Sequence, residues 1–441
     1  VISQENYIKL LLLHIALGFG GYLFPIIIKL VLLAVIGLFM VRILYYGNRN
    51  DEVLIAASYL VGFEVFSRMT GGVGFSYEFA KYGVIVFMTL GMFYRGFHKK
   101  SWPYVLFLFL LMPGIVVSAF YVDYDVEFGN IIGFNLSGPV CLGISALYCH
   151  DRPLSQNRFN DVLTACLLPI VAMVVYLYFY TPDIRDVLTG TGSNFAASGG
   201  FGPNQVSTVI GLGMFILFTR LFLVKNRAVN FIDITLLGLL TYRAFITFSR
   251  GGVITAGVCA ILFILFYLKQ ASAGKRKNVL AKTTLISVVF IITWIITSLL
   301  SGGLIDKRYA NQDALGRVKK DVSTGRKELI ETELLAFKQN PILGIGAGRT
   351  KEYRLEVTGV ESATHNEISR MLSEHGLLGI IALIILLFTP AIRWLFHKDN
   401  LFLLPFLAFW FLTINHSSMR IAAPAFVYGI CLISIIKKSK Q

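Results

Sequence analysis

Apolar residues fill most of the chain in runs of about 17–25, the length a helix needs to cross the hydrocarbon of a bilayer. The runs follow one another almost without pause from residue 8 to residue 436. They predict helices over 7–20, 23–46, 52–68, 79–95, 103–121, 130–149, 159–181, 204–224, 231–248, 252–270, 283–301, 367–391, 401–415 and 421–437. The expected fold is an all-α polytopic membrane protein, a bundle of about 12–14 transmembrane helices with one large helical outer loop. The first run is short for a crossing, about 14 residues at 1.5 Å each, and Gly18, Gly20 and Gly21 follow it closely. An interfacial position for it would leave thirteen crossings. No short apolar core with a small-residue cleavage site opens the chain, so this stretch is expected to be retained.

One polar stretch stands apart. Residues 302–366 hold eleven Lys/Arg, nine Asp/Glu and a single histidine, His365. A loop of that length without structure of its own is unusual. Ser323 or Thr324 as a cap, then Lys327 through Phe337, then Asn340-Pro341 as a stop, predict an amphipathic helix within it. The expected organisation is 1–301 as eleven transmembrane helices, 302–366 as the loop, and 367–441 as the C-terminal helices.

Composition supports lipid as the solvent: 56% of residues are hydrophobic and 15% charged, more apolar surface than one soluble core hides. A net charge of +15 raises nucleic acid as a partner, but the distribution argues against it. Basic clusters at Arg95–Lys100, Arg152/Arg158, Lys225/Arg227, Lys269–Lys282, Arg393/Lys398 and Lys437/Lys438/Lys440 alternate with acidic or mixed loops. The latter lie around Asp123-Asp125-Glu127, Asp183-Asp186 and 302–366. Positive charge marks cytoplasmic loops, so the first set is expected inside and the second outside, with both termini inside. The five cysteines all lie in apolar runs, which suggests packing residues rather than a disulfide framework or a metal site.

The polar residues at the expected outer side carry the candidate chemistry. Thr364-His365-Asn366-Glu367 has capping-box spacing, Thr364 as N-cap and Glu367 reaching back. That register puts His365 in a helix's first turn, where the positive dipole end favours neutral imidazole and hence a general base. The plain alternative is a polar residue facing water. Ser249-Arg250-Gly251-Gly252 interrupts two apolar runs and reads as a helical hairpin turning on its glycines. Arg250 and Arg243, seven apart on one helix, would share a face and suit a phosphate, since guanidinium donates a planar fork and keeps its charge. Snorkelling, or pairing with Glu64, is the plain reading.

Arg326 opens the loop helix against the dipole, a sign of some other task. Arg185 lies in a second outer loop that ends Gly202-Pro203-Asn204. Glu367, Arg370 and Glu374 form a polar stripe, either an ion-pair ladder or groups that orient His365 or an acceptor. Glu64 and Arg68 are expected to pair. Gly344-Ile345-Gly346-Ala347-Gly348 has no βαβ context and reads as a tight turn. His416 and Arg420, in the last outer turn, are further candidates.

Several motifs, taken in order, are Thr247–Gly252, Gly325-Arg326 with a helix leading to Asn340-Pro341-Ile342-Leu343-Gly344-Ile345-Gly346, His365-Asn366-Glu367, and Glu374–Gly379. Together they resemble the signature of the O-antigen ligase and O-antigen polymerase family, over residues 230–390 or so. The resemblance implies a metal-independent, cofactor-free, inverting glycosyl transfer at the periplasmic face of the bacterial inner membrane. The donor is an undecaprenyl-diphosphate-linked glycan and the acceptor a lipid A-core or glycan hydroxyl; membrane lipids are the other partners, with no nucleic acid. It places the general base at His365 and the diphosphate ligands at Arg250 and Arg326. Arg243, Asn204, Arg185, Asn366, Glu367 and Glu374 are possible supporting residues. Residues 302–366 then become a periplasmic catalytic loop. The motifs leave ligase, polymerase and protein O-glycosylation open, and a lipid-linked substrate transporter stands as the reading from another class.

Overall fold

In hydrocarbon each backbone N–H and C=O must find its partner inside the chain, which makes helices the economical solution for long apolar runs. The computed structural model describes residues 3–71, 78–121, 126–188, 190–319 and 326–436, with side chains after the third break from Phe128. The acidic side chains Asp123, Asp125 and Glu127, the Ser323/Thr324 helix start and Lys437, Lys438 and Lys440 lie outside the described residues.

In chain order the helices are α1 Gln4–Leu23, α2 Ile26–Tyr46, α3 Glu52–Met69, α4 Phe79–Arg95, α5 Trp102–Tyr121, α6 Val126–Cys149, α7 Gln156–Tyr180, α8 Pro203–Leu223 and α9 Arg227–Ile246. They continue as α10 Arg250–Gln270, α11 Ala273–Leu300, α12 Leu304–Tyr309, α13 Arg326–Gln339, α14 Thr350–Thr358, α15 Glu367–Phe396, α16 Leu403–Ser417 and α17 Ala422–Cys431. Each predicted apolar run contains a helix, although the last, expected over 421–437, is helical only to Cys431 and is followed by a short strand at Ser434–Ile436; among the described residues α12, α13 and α14 are the helices of the long loop. Among the described residues ten helices are long and apolar enough to cross a membrane, α1 among them at 20 residues where the apolar run suggested about 14. Two more, α16 and α17, are apolar but shorter. The chain is an all-α polytopic membrane protein.

Two compact units divide it, each discontinuous in sequence. One takes residues up to Phe79, Leu154–Lys320 and the C-terminal end from Ile435; the other takes Ala80–Pro153 and Asp321–Ser434. The long loop is thus shared, its first part packing with one unit and α13 and α14 with the other.

In the first unit α7 and α8 are buried along most of their length. Helices approach them at glycines, because a side chain would hold the backbones apart. A Cβ on Gly62 of α3 would fall 2.1 Å from the Cys166 carbonyl oxygen, and one on Gly252 of α10 would fall 1.9 Å from that of Ser207 in α8. Two buried arginines are matched by carboxylates inside the unit. Arg220 bonds Asp233 at 3.0 Å and the Thr164 hydroxyl at 2.8 Å, and Tyr7 donates to Asp233 at 2.6 Å. Glu64 and Arg68 pair at 2.5 Å, as their spacing predicts.

The second unit turns on a break in α15. Gly376 adopts φ 58°, ψ −135°, a conformation open to glycine, and the helix kinks there. The break frees the Ser373 and Glu374 carbonyls, which accept from Ile345 N (2.9 Å) and Gly346 N (3.2 Å), while Leu377 N donates to Pro341 O at 2.8 Å. The glycine-rich segment 344–348 is therefore a turn that docks into the kink. Irregular backbone at this position is tolerated because protein groups satisfy it. The five cysteines are buried free thiols.

Candidate functional site

His365 lies in the second unit, at the entry to α15. The N-cap of that helix is Asn366, not Thr364: its side-chain oxygen accepts from Ile368 N at 2.8 Å and Ser369 N at 3.3 Å. The Thr364 hydroxyl instead donates to the Asn366 carbonyl at 3.3 Å. The predicted capping box is thus corrected by two residues, and His365 stands before the helix rather than in its first turn. Asn366 outcompetes Thr364 because its longer side chain reaches two N–H groups while Thr364 is held elsewhere. Arg420, in the turn between α16 and α17, donates to the Thr364 carbonyl, and Asn366 donates to Asn415 of α16 at 3.2 Å. The segment carrying His365 is pinned from both sides.

The imidazole is half-buried, and its Nδ1 is enclosed with no hydrogen-bond partner among the described residues. Burial pushes its pKa down to about 4, reinforced by the positive charges of Arg420 and Arg326, by His416, and by Arg354. The neutral ring that the sequence attributes to a helix dipole is therefore a product of desolvation and converging cations. Arg326 is the first residue of α13, as predicted. Arg354 projects from α14 and is buried in a pair with Glu333 of α13 at 2.6 Å, donating also to the Ser362 carbonyl. Glu333 accepts in turn from Ser369. One carboxylate thus ties α13, α14 and α15 together beneath the histidine.

The Glu367–Arg370–Glu374 stripe takes the plain reading. Arg370 pairs with Glu367 and donates to the Asn135 side chain at 2.9 Å and its carbonyl at 3.0 Å. Glu374 accepts from the Thr350 hydroxyl at 2.7 Å. All three are buried in internal bonds.

The remaining sequence candidates lie in the first unit. Arg250 is the first residue of α10, and the turn before it is Thr247-Phe248-Ser249, with Phe248 at φ 54°. Gly251 and Gly252 belong to the helix, where Gly252 permits contact with α8, so the expected hairpin turning on its glycines is corrected. Arg243 closes α9 on the far side of that turn, so the two arginines do not share a helix face. Arg243 is buried and donates to the Thr181 and Ala197 carbonyls at 3.4 and 3.2 Å. It holds a loop and presents no fork to a ligand.

Arg250 is half-buried and reaches the Asn311 amide oxygen at 2.5 Å and the Arg308 carbonyl at 3.4 Å. Among the described residues it makes no ion pair. Asn204 accepts from the Ser249 hydroxyl at 2.7 Å, and Arg308 donates to the Phe248 carbonyl at 2.9 Å, so both secure the turn before Arg250. Arg185 is an exposed partner of Asp183 at 2.7 Å.

The structure thus gathers His365, Arg326, Asn366, Glu367 and Glu374 in one unit and Arg250, Arg243, Asn204 and Arg185 in the other. Sequence reading missed Arg354, Glu333 and Asn415 around the histidine, and Arg308 and Asn311 around Arg250. No spacing marks them, since each acts on a residue of another element. An uncharacterized protein of Haemophilus influenzae is 31% identical over 158 residues, 32% of this chain and 38% of that one. The chain therefore spans under two fifths of the length of the relative it matches. Residues 234–384 match the O-antigen ligase family model, a stretch of sequence that includes Arg250, Arg326 and His365.

Proposed function

We propose that the chain is an inner-membrane glycosyltransferase that moves a glycan from undecaprenyl diphosphate to a lipid A-core hydroxyl on the periplasmic side. The observation that carries this reading is His365: a histidine kept neutral among cations, with an enclosed ring nitrogen that none of the described residues engages. In the reaction His365 takes the proton of the acceptor hydroxyl. The hydroxyl oxygen forms the new bond to the anomeric carbon, the bond to the diphosphate oxygen breaks, and undecaprenyl diphosphate leaves with the electron pair. Attack opposite the leaving group inverts the anomeric centre. A diphosphate already leaves well, so charge stabilisation and deprotonation are the tasks left to the protein.

Arg326 and Arg250 are the proposed diphosphate ligands. Asn366 and Asn204 position the segments next to His365 and Arg250, respectively. Arg326 is also one of the cations that depress His365, so a diphosphate bound to it offsets part of that field and raises the basicity of the histidine. General-base help of this kind is worth roughly 10²–10⁴ in rate.

Purified protein supplied with an undecaprenyl-diphosphate glycan and lipid A-core tests the reading. His365→Ala is expected to lose turnover while still binding donor, and Arg326→Ala and Arg250→Ala to weaken donor use without unfolding the protein. Unchanged transfer by His365→Ala removes the base assignment. Lengthening of the lipid-linked glycan in place of transfer to lipid A-core makes the protein a polymerase.

A further inference from the structure

The second unit contains a groove that the proposed chemistry does not use. Its volume is about 960 Å³, and one wall is the C-terminal half of α5, with Phe109, Met112, Val116 and Phe120. The docked turn contributes Pro341, Ile342 and Leu343, and α14 contributes Arg349, Tyr353 and Glu356. Its two ends differ in chemistry. The α5 residues are broadly exposed on a helix of membrane-spanning length, as is Ile342 on the turn, so this end is continuous with the face that meets hydrocarbon. The α14 end is polar and aromatic. Arg349 stands over the Tyr121 ring at 4.6 Å and pairs with Glu352 at 3.1 Å, and the Tyr353 hydroxyl donates to Gln339 at 2.6 Å.

An amphiphile is the natural occupant of a groove with one apolar and one polar end. The charges at the rim choose its head group. Arg349 is already matched by Glu352, and Glu356 adds a carboxylate, so the rim offers no net positive charge to a phosphate or diphosphate. Paired guanidinium, carboxylates, phenol hydroxyls and aromatic faces suit a head rich in hydroxyls, which needs donors, acceptors and a stacking surface. The adjoining face of α14 leads back to the histidine. Thr350 and Arg354, beside Arg349 and Tyr353 in sequence, bond Glu374 and Glu333, and Arg354 is one of the charges felt by His365.

We infer that this groove seats the acyl chain of a glycolipid, with its sugar held by the Arg349–Tyr353–Glu356 rim of α14, and that this glycolipid is the acceptor. The inference rests on the proposed transfer reaction only for the word acceptor; the binding site stands by itself.

Photolabelling of the full chain in phosphatidylcholine nanodiscs, without donor, separates the two. Three probes carry a diazirine in the apolar chain: glucosyl diacylglycerol, phosphatidylglycerol and a polyprenyl diphosphate. The glucosyl probe is expected to label peptides holding Val116, Phe120 or Ile342, and excess unlabelled glycolipid to compete. Leu343→Trp and Ile342→Trp, on exposed turn positions, are expected to cut that labelling at least fivefold. Tyr353→Phe combined with Glu356→Gln is expected to cut glucosyl labelling while sparing the phosphatidylglycerol signal. Equal labelling by phosphatidylglycerol makes the groove ordinary lipid-facing surface and overturns the inference, as does preferential labelling by the polyprenyl diphosphate. Selective glucosyl labelling in a protein that transfers no glycan upholds the groove and defeats the proposed function instead.

Discussion

Replacing Arg420 by glutamine tests directly what holds His365 neutral. Arg420 is the first among the cations that lower the histidine's pKa, and it also donates to the Thr364 carbonyl next door. Glutamine removes the charge and keeps a donor for that carbonyl; lysine keeps the charge. At an effective dielectric constant of about 20, a neighbouring unit charge not in direct contact is worth on the order of 2 kcal/mol. Water reaches a half-buried ring, so about half of this survives, which moves a titration by a little under one pH unit. Removing a cation relieves the penalty on imidazolium, so the pKa of His365 rises from about 4. The base form is then lost at higher pH.

The expected result is an acid limb of kcat/KM shifted upward by about one pH unit in Arg420→Gln and unshifted in Arg420→Lys. Carbethoxylation of His365 by diethyl pyrocarbonate, followed by mass spectrometry on donor-free protein, reads the same titration without turnover. Superimposable wild-type and Arg420→Gln curves in both assays would show that the arginine field does not set the histidine. Because bound diphosphate offsets that field, the acid limb of kcat is expected at higher pH than the limb of kcat/KM.

Three further variants probe the frame. Glu333→Ala strands the buried Arg354 guanidinium and is expected to cost about 3–5 kcal/mol, read as a fall in the thermal midpoint in detergent; Glu333→Gln should recover part of it. Gly252→Ala places a methyl group 1.9 Å from the Ser207 carbonyl oxygen, so α8 and α10 must separate, and a loss of about 1–3 kcal/mol or more is expected in the same assay. Asn366→Ala removes an N-cap that serves two N–H groups, with about 1 kcal/mol of stability lost. Transfer should fall further than that figure explains, since His365 shares the segment.

The helices were legible because lipid imposes one rule on every run: cross, and close the hydrogen bonds internally. That rule needs no tertiary information, so each of the fourteen runs holds a helix, with most ends displaced by a few residues, α11 starting ten residues early and α17 stopping at Cys431, six short of its run. The site was legible only where a single segment carries its own signal. His365 is the histidine of the long polar stretch, and Arg326 stands where a basic residue opposes the helix dipole. What surrounds them was not. Thr364 and Asn366 are both cap formers, and Asn366 takes the role because its side-chain oxygen reaches two N–H groups while the Thr364 hydroxyl donates to the Asn366 carbonyl.

The seven-residue spacing of Arg243 and Arg250 places them on one face only if one helix carries both, and the left-handed turn at Phe248 removes that condition. Arg354 is one basic residue among the eleven of the loop until Glu333 buries it. The common cause is physical. A helix in lipid is fixed by its own residues, whereas the protonation state of a histidine is fixed by which distant charges the fold brings to it. It follows that the titration of His365 can be moved, with the ring kept in place, by changes at Arg420 or Arg354, positions that no local pattern around it would nominate.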